Sequence, residues 1–172
     1  SSAINALTST VNTSFSVTAT DGVDAVSQTL AVNLVGVNDT VTLTAPTAIT
    51  FTDTAALDSF TAVSGTLVAS LDRDAGQTTV FGIASGIVTG TGASAVSTLS
   101  NAYGTLVVNT TSGAYTFTPI SSAINALTST VSASFTVTAS DGITPVNQTL
   151  AISLVGVNDT VTLTAPTALT FT

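Results

Sequence analysis

The stretch Phe135–Asp159 reads FTVTASDGITPVNQTLAISLVGVND and carries the clearest structural signal of the chain. Apolar and polar residues alternate on both sides of the pair Asp141–Gly142, and this period of two is typical of β-strands with one buried face. Asp-Gly is a strong signal for a tight turn between two antiparallel strands. The stretch therefore predicts a long β-hairpin, which is followed by the pair Asn158–Asp159.

Almost the same stretch occurs a second time, at Phe15–Asp39, 120 residues earlier in the chain. Residues 1–52 align with residues 121–172 without a gap, and 41 of the 52 positions are identical. Self-similarity at a fixed spacing indicates tandem structural repeats. With Asn-Asp as the end of a repeat, we interpret residues 1–39 as the C-terminal part of one repeat, residues 40–159 as a complete repeat, and residues 160–172 as the first strand or strands of the next.

Short segments of alternating apolar residues recur through the complete repeat, and turn residues separate them. Seven or more short strands in a unit of this size predict an all-β fold, namely an antiparallel Greek-key β-sandwich. The predicted strands are Val41–Thr52, which Pro46 divides, Thr66–Leu71, Thr78–Ala84, Tyr103–Val108, Ala114–Thr118 and the two strands of the hairpin. We expect a loop over residues 85–100 with a short strand near Val96, and a helical turn within Ser121–Thr130.

The hydrophobic core is expected from the inward-facing residues of these strands and of the helical turn. The expected core residues are Leu67, Leu71, Phe81, Leu106, Val108, Tyr115, Phe117, Leu127, Phe135, Val137, Leu150, Ile152 and Leu154.

The charged residues restrict the possible partners. All nine acidic residues are Asp, Arg73 is the single basic residue, and the formal net charge is −8. This composition excludes a basic nucleic-acid interface and argues against attachment to an anionic membrane surface. No apolar run is long enough to cross a bilayer, so membrane insertion is not expected. The acidic charge serves either solubility or the binding of divalent cations, and composition alone leaves both open.

The residue types needed for most enzyme chemistry are absent. The sequence contains no His, Cys, Lys or Glu, so the usual general bases and activated nucleophiles are missing and we expect no enzymatic role. A carbohydrate-binding module is a further alternative, but sugar platforms use exposed aromatic residues. The chain has no Trp, and its two tyrosines, Tyr103 and Tyr115, lie in predicted strands as expected core residues.

The positions of the Asp residues suggest where a cation would bind. Asp72 and Asp74 form an Asp-x-Asp pair, and alternate residues of an extended segment point in the same direction, towards one ion. Asp141 opens a turn, whereas Asp39 and Asp159 close the two copies of the repeat. The alternative interpretation is that these residues only form turns and loop caps.

The order of several short motifs resembles that of the bacterial cadherin-like repeats of large secreted adhesins, including the VCBS type. No single motif is specific, but the ordered set extends over the complete repeat and both partial ones. The motifs are GTL at residues 65–67, Asp-x-Asp-x-Gly at 72–76, YGTL at 103–106, GAYTFTP at 113–119, AINAL at 123–127, FTVTASDG at 135–142 and Asn-Asp at 158–159.

This resemblance implies that calcium is bound between consecutive repeats. By analogy, linker residues Asn38 and Asp39 would share an ion with Asp72, Asp74 and Asp141. A second junction would use Asp53, Asn158 and Asp159. The acidic pair that cadherins contribute after the GAYT-type hairpin is missing, and the linker reads Val-Asn-Asp in place of Asp-x-Asn-Asp. The chain is therefore expected to bind fewer ions at a junction, to bind them weakly, or to bind none.

Two functions remain as the main hypotheses. In the first, the chain is a non-catalytic extender repeat of a long extracellular bacterial surface adhesin or biofilm-matrix protein, and its partners are neighbouring repeats. In the second, it is a subunit of a self-assembled filament, sheath or surface layer. Residues 1–39 lack the other strands of a sandwich, and strand exchange with other copies of the chain would complete them.

Overall fold

The computed structural model describes residues 2–171; Ser1 and Thr172, which the repeat alignment includes, lie outside this range. The described residues form eleven strands, two short α-helices and one 3-10 helix at Gly92–Ser94. The elements are α1 Ser2–Asn5, β1 Val11–Thr20, β2 Ala25–Leu34, β3 Ile49–Thr52, β4 Val63–Thr66, β5 Val80–Ile83, β6 Ile87–Thr89, β7 Val96–Asn101, β8 Gly104–Asn109, β9 Ala114–Pro119, α2 Ser121–Asn125, β10 Val131–Ser140 and β11 Pro145–Val155. Within the described residues, no helix has the length and hydropathy needed to cross a membrane.

Two sheets enclose one hydrophobic core. A four-stranded sheet has the order β3-β11-β10-β5, and a five-stranded sheet has the order β4-β9-β8-β7-β6. The buried cluster takes residues from both, including Leu106 and Phe117 of the larger sheet and Phe135 and Leu150 of the smaller one. The rings of Phe117 and Phe135 lie 5.8 Å apart between centroids. The prediction of an all-β, sandwich-like fold built of antiparallel pairs is thus confirmed, with one parallel pair, β3 and β11.

The hairpin β10–β11 has the predicted turn. The Oδ1 atom of Asp141 accepts hydrogen bonds from the backbone N–H groups of Ile143 at 2.8 Å and Thr144 at 2.6 Å. Gly142 has φ +94°, a left-handed conformation that glycine adopts without a steric penalty. From this turn the strands pair continuously from Ser140 and Pro145 to Val131 and Leu154, and their inward residues are buried in the core.

The first copy of this hairpin, β1–β2, has the same register, but no other sheet of the described residues covers it. Its pairs run from Val11 with Leu34 to Thr20 with Ala25, which is the register of β10–β11 moved by 120 residues. Within residues 2–171 these strands form a sheet of their own. Phe15 is 60% exposed, whereas the equivalent Phe135 is 3% exposed.

The core prediction was wrong for Leu71, which is 91% exposed. The strand predicted over Thr66–Leu71 is β4 in the structure, which begins earlier than predicted and ends at Thr66. Beyond β4, the segment pairs only through an isolated bridge between Ala69 and Leu43. The N–H of Ser70 still donates to Thr42, but the chain then turns, with the N–H of Asp74 donating to Asp72. Leu71 therefore has no opposing sheet to pack against.

The remaining expected core residues lie in the core or against it. Phe81 and Leu127 are partly buried and pack on its edge, and the others are buried. Residues 85–100 contain more structure than expected, because β6 pairs with β7 there. The expected helical turn within Ser121–Thr130 is confirmed as α2, whose Ile124 is fully buried.

Candidate functional site

The acidic loop, defined as residues 72–77, folds around its own carboxylates. The N–H of Asp74 donates to Oδ1 of Asp72 at 2.9 Å, which bends the chain back at this Asp-x-Asp pair. Gly76 has φ +82°, so the loop ends in a conformation that favours glycine. Asp74 is 5% exposed and Asp72 is partly buried, whereas Arg73 between them is exposed.

The linker between the first hairpin and the two-sheet unit lies on this loop. The N–H of Asp39 donates to Oδ2 of Asp74 at 2.7 Å. Asn38 donates its Nδ2 to Oδ2 of Asp141 at 2.8 Å and accepts a hydrogen bond from Nε2 of Gln77 at 3.1 Å. The structure thus brings together all five residues proposed for the first junction, Asn38, Asp39, Asp72, Asp74 and Asp141.

Asp141 is held in its ionised form by the turn that it opens. The backbone N–H of Thr144 lowers the pKa of this carboxyl most, followed by the side chain of Asn38 and the N–H of Ile143. Each of these groups donates to the carboxylate and therefore stabilises its charged form. The linker is consequently attached to a carboxylate that keeps its negative charge at neutral pH.

Three buried oxygen atoms of the acidic loop accept no hydrogen bond from any described residue. They are Oδ2 of Asp72, Oδ1 of Asp74 and Oε1 of Gln77. Buried polar atoms in folded proteins are almost always paired, because an unpaired one loses its hydration without compensation. Carboxylate and amide oxygens of this kind are the ligands that Ca²⁺ prefers in proteins.

The composition of this oxygen set differs from a cluster made of carboxylates alone. Residues 2–171 contain no group of three or more His, Cys, Asp or Glu side chains that could hold a metal ion. The unpaired set combines two carboxylates with one amide. Asp39 and Asp141 accept hydrogen bonds beside this oxygen set. Oδ2 of Asp39 accepts from Asn5 at 3.2 Å, and Oδ2 of Asp141 accepts from Asn38 at 2.8 Å.

The first hairpin unit also contacts the acidic loop directly. The N–H of Ala75 donates to the backbone oxygen of Ala6 at 3.0 Å, and Asn5 donates to Asp39. Sequence reasoning missed these residues and Gln77. Gln77 could have been predicted, because it follows Asp74 by three residues in the same loop. The contact of Ala6 could not, because it is made by backbone atoms and does not depend on the residue type.

Of the three residues proposed for the second junction, the structure places Asp53 beside the linker residue Val157. Asp53 is 1% exposed, its N–H donates to Val155 at 2.9 Å, and its Oδ2 accepts from the N–H of Val157 at 3.4 Å. Its Oδ1 is buried and accepts no hydrogen bond from the described residues. Asn158 and Asp159 are exposed, and among the described residues Nδ2 of Asn158 donates only to the backbone oxygen of Asp159, at 3.4 Å.

The surface next to the acidic loop is open, and the tyrosines lie elsewhere. A groove of about 640 Å³ is lined by Asp39, Thr40, Thr42 and residues 70–73. Tyr115 is 8% exposed and Tyr103 packs against the core, as predicted. Neither tyrosine lines this groove.

Comparisons with known proteins identify no relative. No protein-family model matches the sequence, and no curated protein or solved structure is significantly similar to it. The resemblance to cadherin-like repeats therefore stays a prediction from the motifs.

Proposed function

We propose that the chain is a non-catalytic extender segment of a long extracellular bacterial surface adhesin or biofilm-matrix protein. In this proposal residues 40–159 are one Greek-key, cadherin-like repeat, and calcium at the linker stiffens its junction with the preceding unit. The observation that carries it is the set of three unpaired, buried oxygens on the acidic loop, beside the linker. A purely structural turn has no need to bury carboxylate oxygens without partners.

The linker contacts explain how an ion would stiffen the array. Asp74 offers Oδ2 to the N–H of Asp39 while its Oδ1 is unpaired, so one carboxylate would join the linker to the ion. Asn38 of the linker accepts a hydrogen bond from Nε2 of Gln77, whose Oε1 is unpaired, and donates to Asp141. An ion would reduce the repulsion between the carboxylates of the acidic loop, and so would hold this loop and the linker bonded to it in one arrangement.

Thermal unfolding with calcium, magnesium or excess chelator tests the proposal. An ion at one hundred times its Kd that binds only the folded state adds about 2.7 kcal/mol, which moves Tm by several degrees. We expect this rise with calcium and its loss in Asp72→Asn/Asp74→Asn. The matched control, Asp21→Asn/Asp24→Asn, removes the same charge at the turn of the first hairpin and should keep the rise. An unchanged Tm of the unmodified chain at millimolar calcium would contradict calcium binding at the acidic loop.

A second candidate function is a subunit of a self-assembled filament, sheath or surface layer, in which strand exchange between copies would cover exposed apolar strands. Every residue of β1 is exposed, including apolar residues that are buried in the equivalent β10. Contiguous apolar surface of this kind marks interaction sites in folded proteins. Sedimentation velocity over a range of protein concentrations tests it: oligomers that grow with concentration support the filament, and a monomer at all concentrations contradicts it.

A further inference from the structure

Three polar side chains form a continuous row of hydrogen bonds from the turn of the hairpin β10–β11 to the acidic loop. Oδ2 of Asp141 accepts from Nδ2 of Asn38 at 2.8 Å, and Oδ1 of Asn38 accepts from Nε2 of Gln77 at 3.1 Å. The row ends at Oε1 of Gln77, which is buried and accepts no hydrogen bond from a described residue. We call Asp141, Asn38 and Gln77 the amide relay.

The carboxylate at one end of the amide relay fixes the direction of both amides. The ionised carboxylate of Asp141 accepts hydrogen bonds and donates none, so Asn38 must present its NH₂ group to Asp141 and its oxygen to Gln77. An amide oxygen also only accepts, so Gln77 must present its NH₂ group to Asn38. The oxygen of Gln77 therefore lies on the side of its amide group that faces away from the linker residue.

This free amide oxygen belongs to the same loop as two buried and unpaired carboxylate oxygens, Oδ2 of Asp72 and Oδ1 of Asp74. Asp74 is 5% exposed, and its other oxygen accepts from the N–H of Asp39. Amide oxygens bind Ca²⁺ as carboxylates do, whereas the NH₂ group of an amide has no lone pair to offer a cation. The direction of the amide relay thus decides whether Gln77 can be a ligand.

We propose that Gln77 binds the cation through Oε1, and that Asn38 and Asp141 are the positioning residues that turn this oxygen towards it. The resemblance to cadherin-like repeats implied that Asn38 and Asp141 share the ion themselves. Both polar side-chain atoms of Asn38 are already engaged within the amide relay, so its side chain orients a ligand and is not one. Partners of this kind fix the orientation of metal ligands in many proteins.

The amide relay also couples the ion to the linker. Asn38 belongs to the linker and Asp141 to the turn of the hairpin β10–β11, so attachment of the linker to this turn fixes the ligand oxygen of Gln77. By reciprocity, a bound ion holds the linker on the turn. This inference rests on the proposed function and deepens it, because it names the residues that connect ion binding to the position of the linker.

Calcium titration of the complete chain by isothermal calorimetry tests the role of Gln77 as a ligand. Gln77→Met removes the amide at a similar side-chain length, and we expect the Kd for calcium to rise at least about tenfold. The matched control is Gln148→Met, which removes an amide that donates to the backbone oxygen of Leu43 and not to the acidic loop. The Kd of this control should stay unchanged. An unchanged Kd in Gln77→Met would overturn the proposal.

Reversing the amide relay tests the positioning role. Asp141→Asn keeps an oxygen for the turn but presents an NH₂ group to Asn38, so both following amides turn over and Gln77 directs N–H groups at the cation. We expect the Kd to rise about ten- to a hundredfold. Asp141→Asn/Asn38→Asp places a carboxylate in the middle of the amide relay, where it accepts from both neighbours and restores the direction of Gln77. This double variant should recover most of the lost affinity.

A charge-matched variant separates direction from charge. Asp141→Asn/Asn158→Asp has the same net charge as the unmodified chain, but its new carboxylate lies at the exposed copy of Asn38. We expect this variant to recover no affinity. If Asp141→Asn/Asn38→Asp recovers no more affinity than this control, Asp141 is a ligand itself or acts only through its charge, and the proposal is overturned.

The outcomes distinguish this inference from the proposed function. An unmodified chain that binds no calcium would overturn both. A calcium-dependent Tm that is lost in Asp72→Asn/Asp74→Asn but retained in full in Gln77→Met would overturn this inference alone and leave the proposed function standing.

Discussion

Asn38 donates its side-chain N–H to the carboxylate of Asp141 at 2.8 Å, across 103 residues of sequence. This hydrogen bond joins the end of one hairpin to the turn of the next, and Gln77 of the acidic loop donates to the same Asn38 side chain. Asn158, at the equivalent position of the second copy, is exposed and makes no such contact with a described residue. The chain thus contains the same linker residue in a bound and an unbound state.

Replacing Asn38 should weaken the junction, whereas replacing its copy should not. Asn38→Ala removes the partner of the charged Asp141 side chain and the acceptor of Gln77, so we expect Tm to fall by a few degrees. Asn158→Ala removes only a long bond to its neighbour, so Tm should stay unchanged. Thermal unfolding followed by circular dichroism in chelator measures both. Equal effects of the two changes would mean that the junction contact contributes nothing.

Stability should fall in acid because of Asp141. Its pKa is lowered in the folded chain, so its contribution is fully present above the unfolded value, near 3.8, and is lost as the pH falls below it through the folded pKa. We expect the Tm of the unmodified chain to decrease below about pH 4 more steeply than that of Asp141→Asn, which keeps an Oδ1 acceptor for the turn. Tm measured from pH 2 to 7 in chelator checks this. Parallel curves would contradict the assignment.

The two phenylalanines at equivalent hairpin positions should differ strongly in their contribution to stability. Phe135→Ala opens a cavity beside Phe117 and should lower the free energy of unfolding by about 3–5 kcal/mol. Phe15→Ala changes an exposed side chain and should lower it by less than about 0.5 kcal/mol. Urea denaturation at a protein concentration where the chain is monomeric measures both values. A large effect of Phe15→Ala under those conditions would show that the first hairpin is covered within its own chain.

Asn125 should matter more than its copy Asn5. Its side chain accepts from the N–H of Asp58 at 2.7 Å and donates to the backbone oxygens of Asp58 and Ser121 at 2.8 and 2.7 Å, which fixes the loop after β3 on α2. Asn125→Ala should therefore cost about 1–3 kcal/mol. Asn5 makes a single, longer bond to Asp39, so Asn5→Ala should cost less. Urea denaturation of the two variants compares them, and the reverse order would be inconsistent with these contacts.

The hairpin and the core were predictable because their signals are local. The alternation in β10 and β11 and the Asp-Gly turn determine which residues face inward, and the structure buries Phe135, Val137 and Leu150 as expected. Leu71 continues an alternation in the sequence, but the pairing of its segment with the opposite segment ends at Ser70, whose N–H donates to Thr42. The limit of a strand depends on what lies opposite, and a single segment does not contain that information.

The metal-ligating role of the candidate site stays a prediction, and the geometry of its contacts was not predicted from the sequence. The Asp-x-Asp spacing indicated two carboxylates at one site, and the resemblance to cadherin-like repeats implied that Asn38 and Asp39 lie beside them. In the structure, hydrogen bonds join Asp39 to Asp74 and Asn38 to Gln77 of the acidic loop. The unpaired oxygen of Gln77 depends on the path of the loop after Gly76, which the residue types alone do not determine. The parallel pairing of β3 with β11 was missed for a related reason: it joins segments about 100 residues apart whose alternation is the same in either direction.

Stiffening of the linker by calcium can be measured as the width of a distance distribution across it. Spin labels at Thr20→Cys, at the tip of the first hairpin, and Thr118→Cys, on β9, span the junction at exposed sites. The labelled chain is diluted with unlabelled protein so that only distances within one chain are measured. We predict a distribution by double electron–electron resonance that is narrower in calcium than in chelator, and no narrowing in Asp72→Asn/Asp74→Asn. If the chain with the unmodified acidic loop gives equally wide distance distributions with and without calcium, calcium does not stiffen the linker.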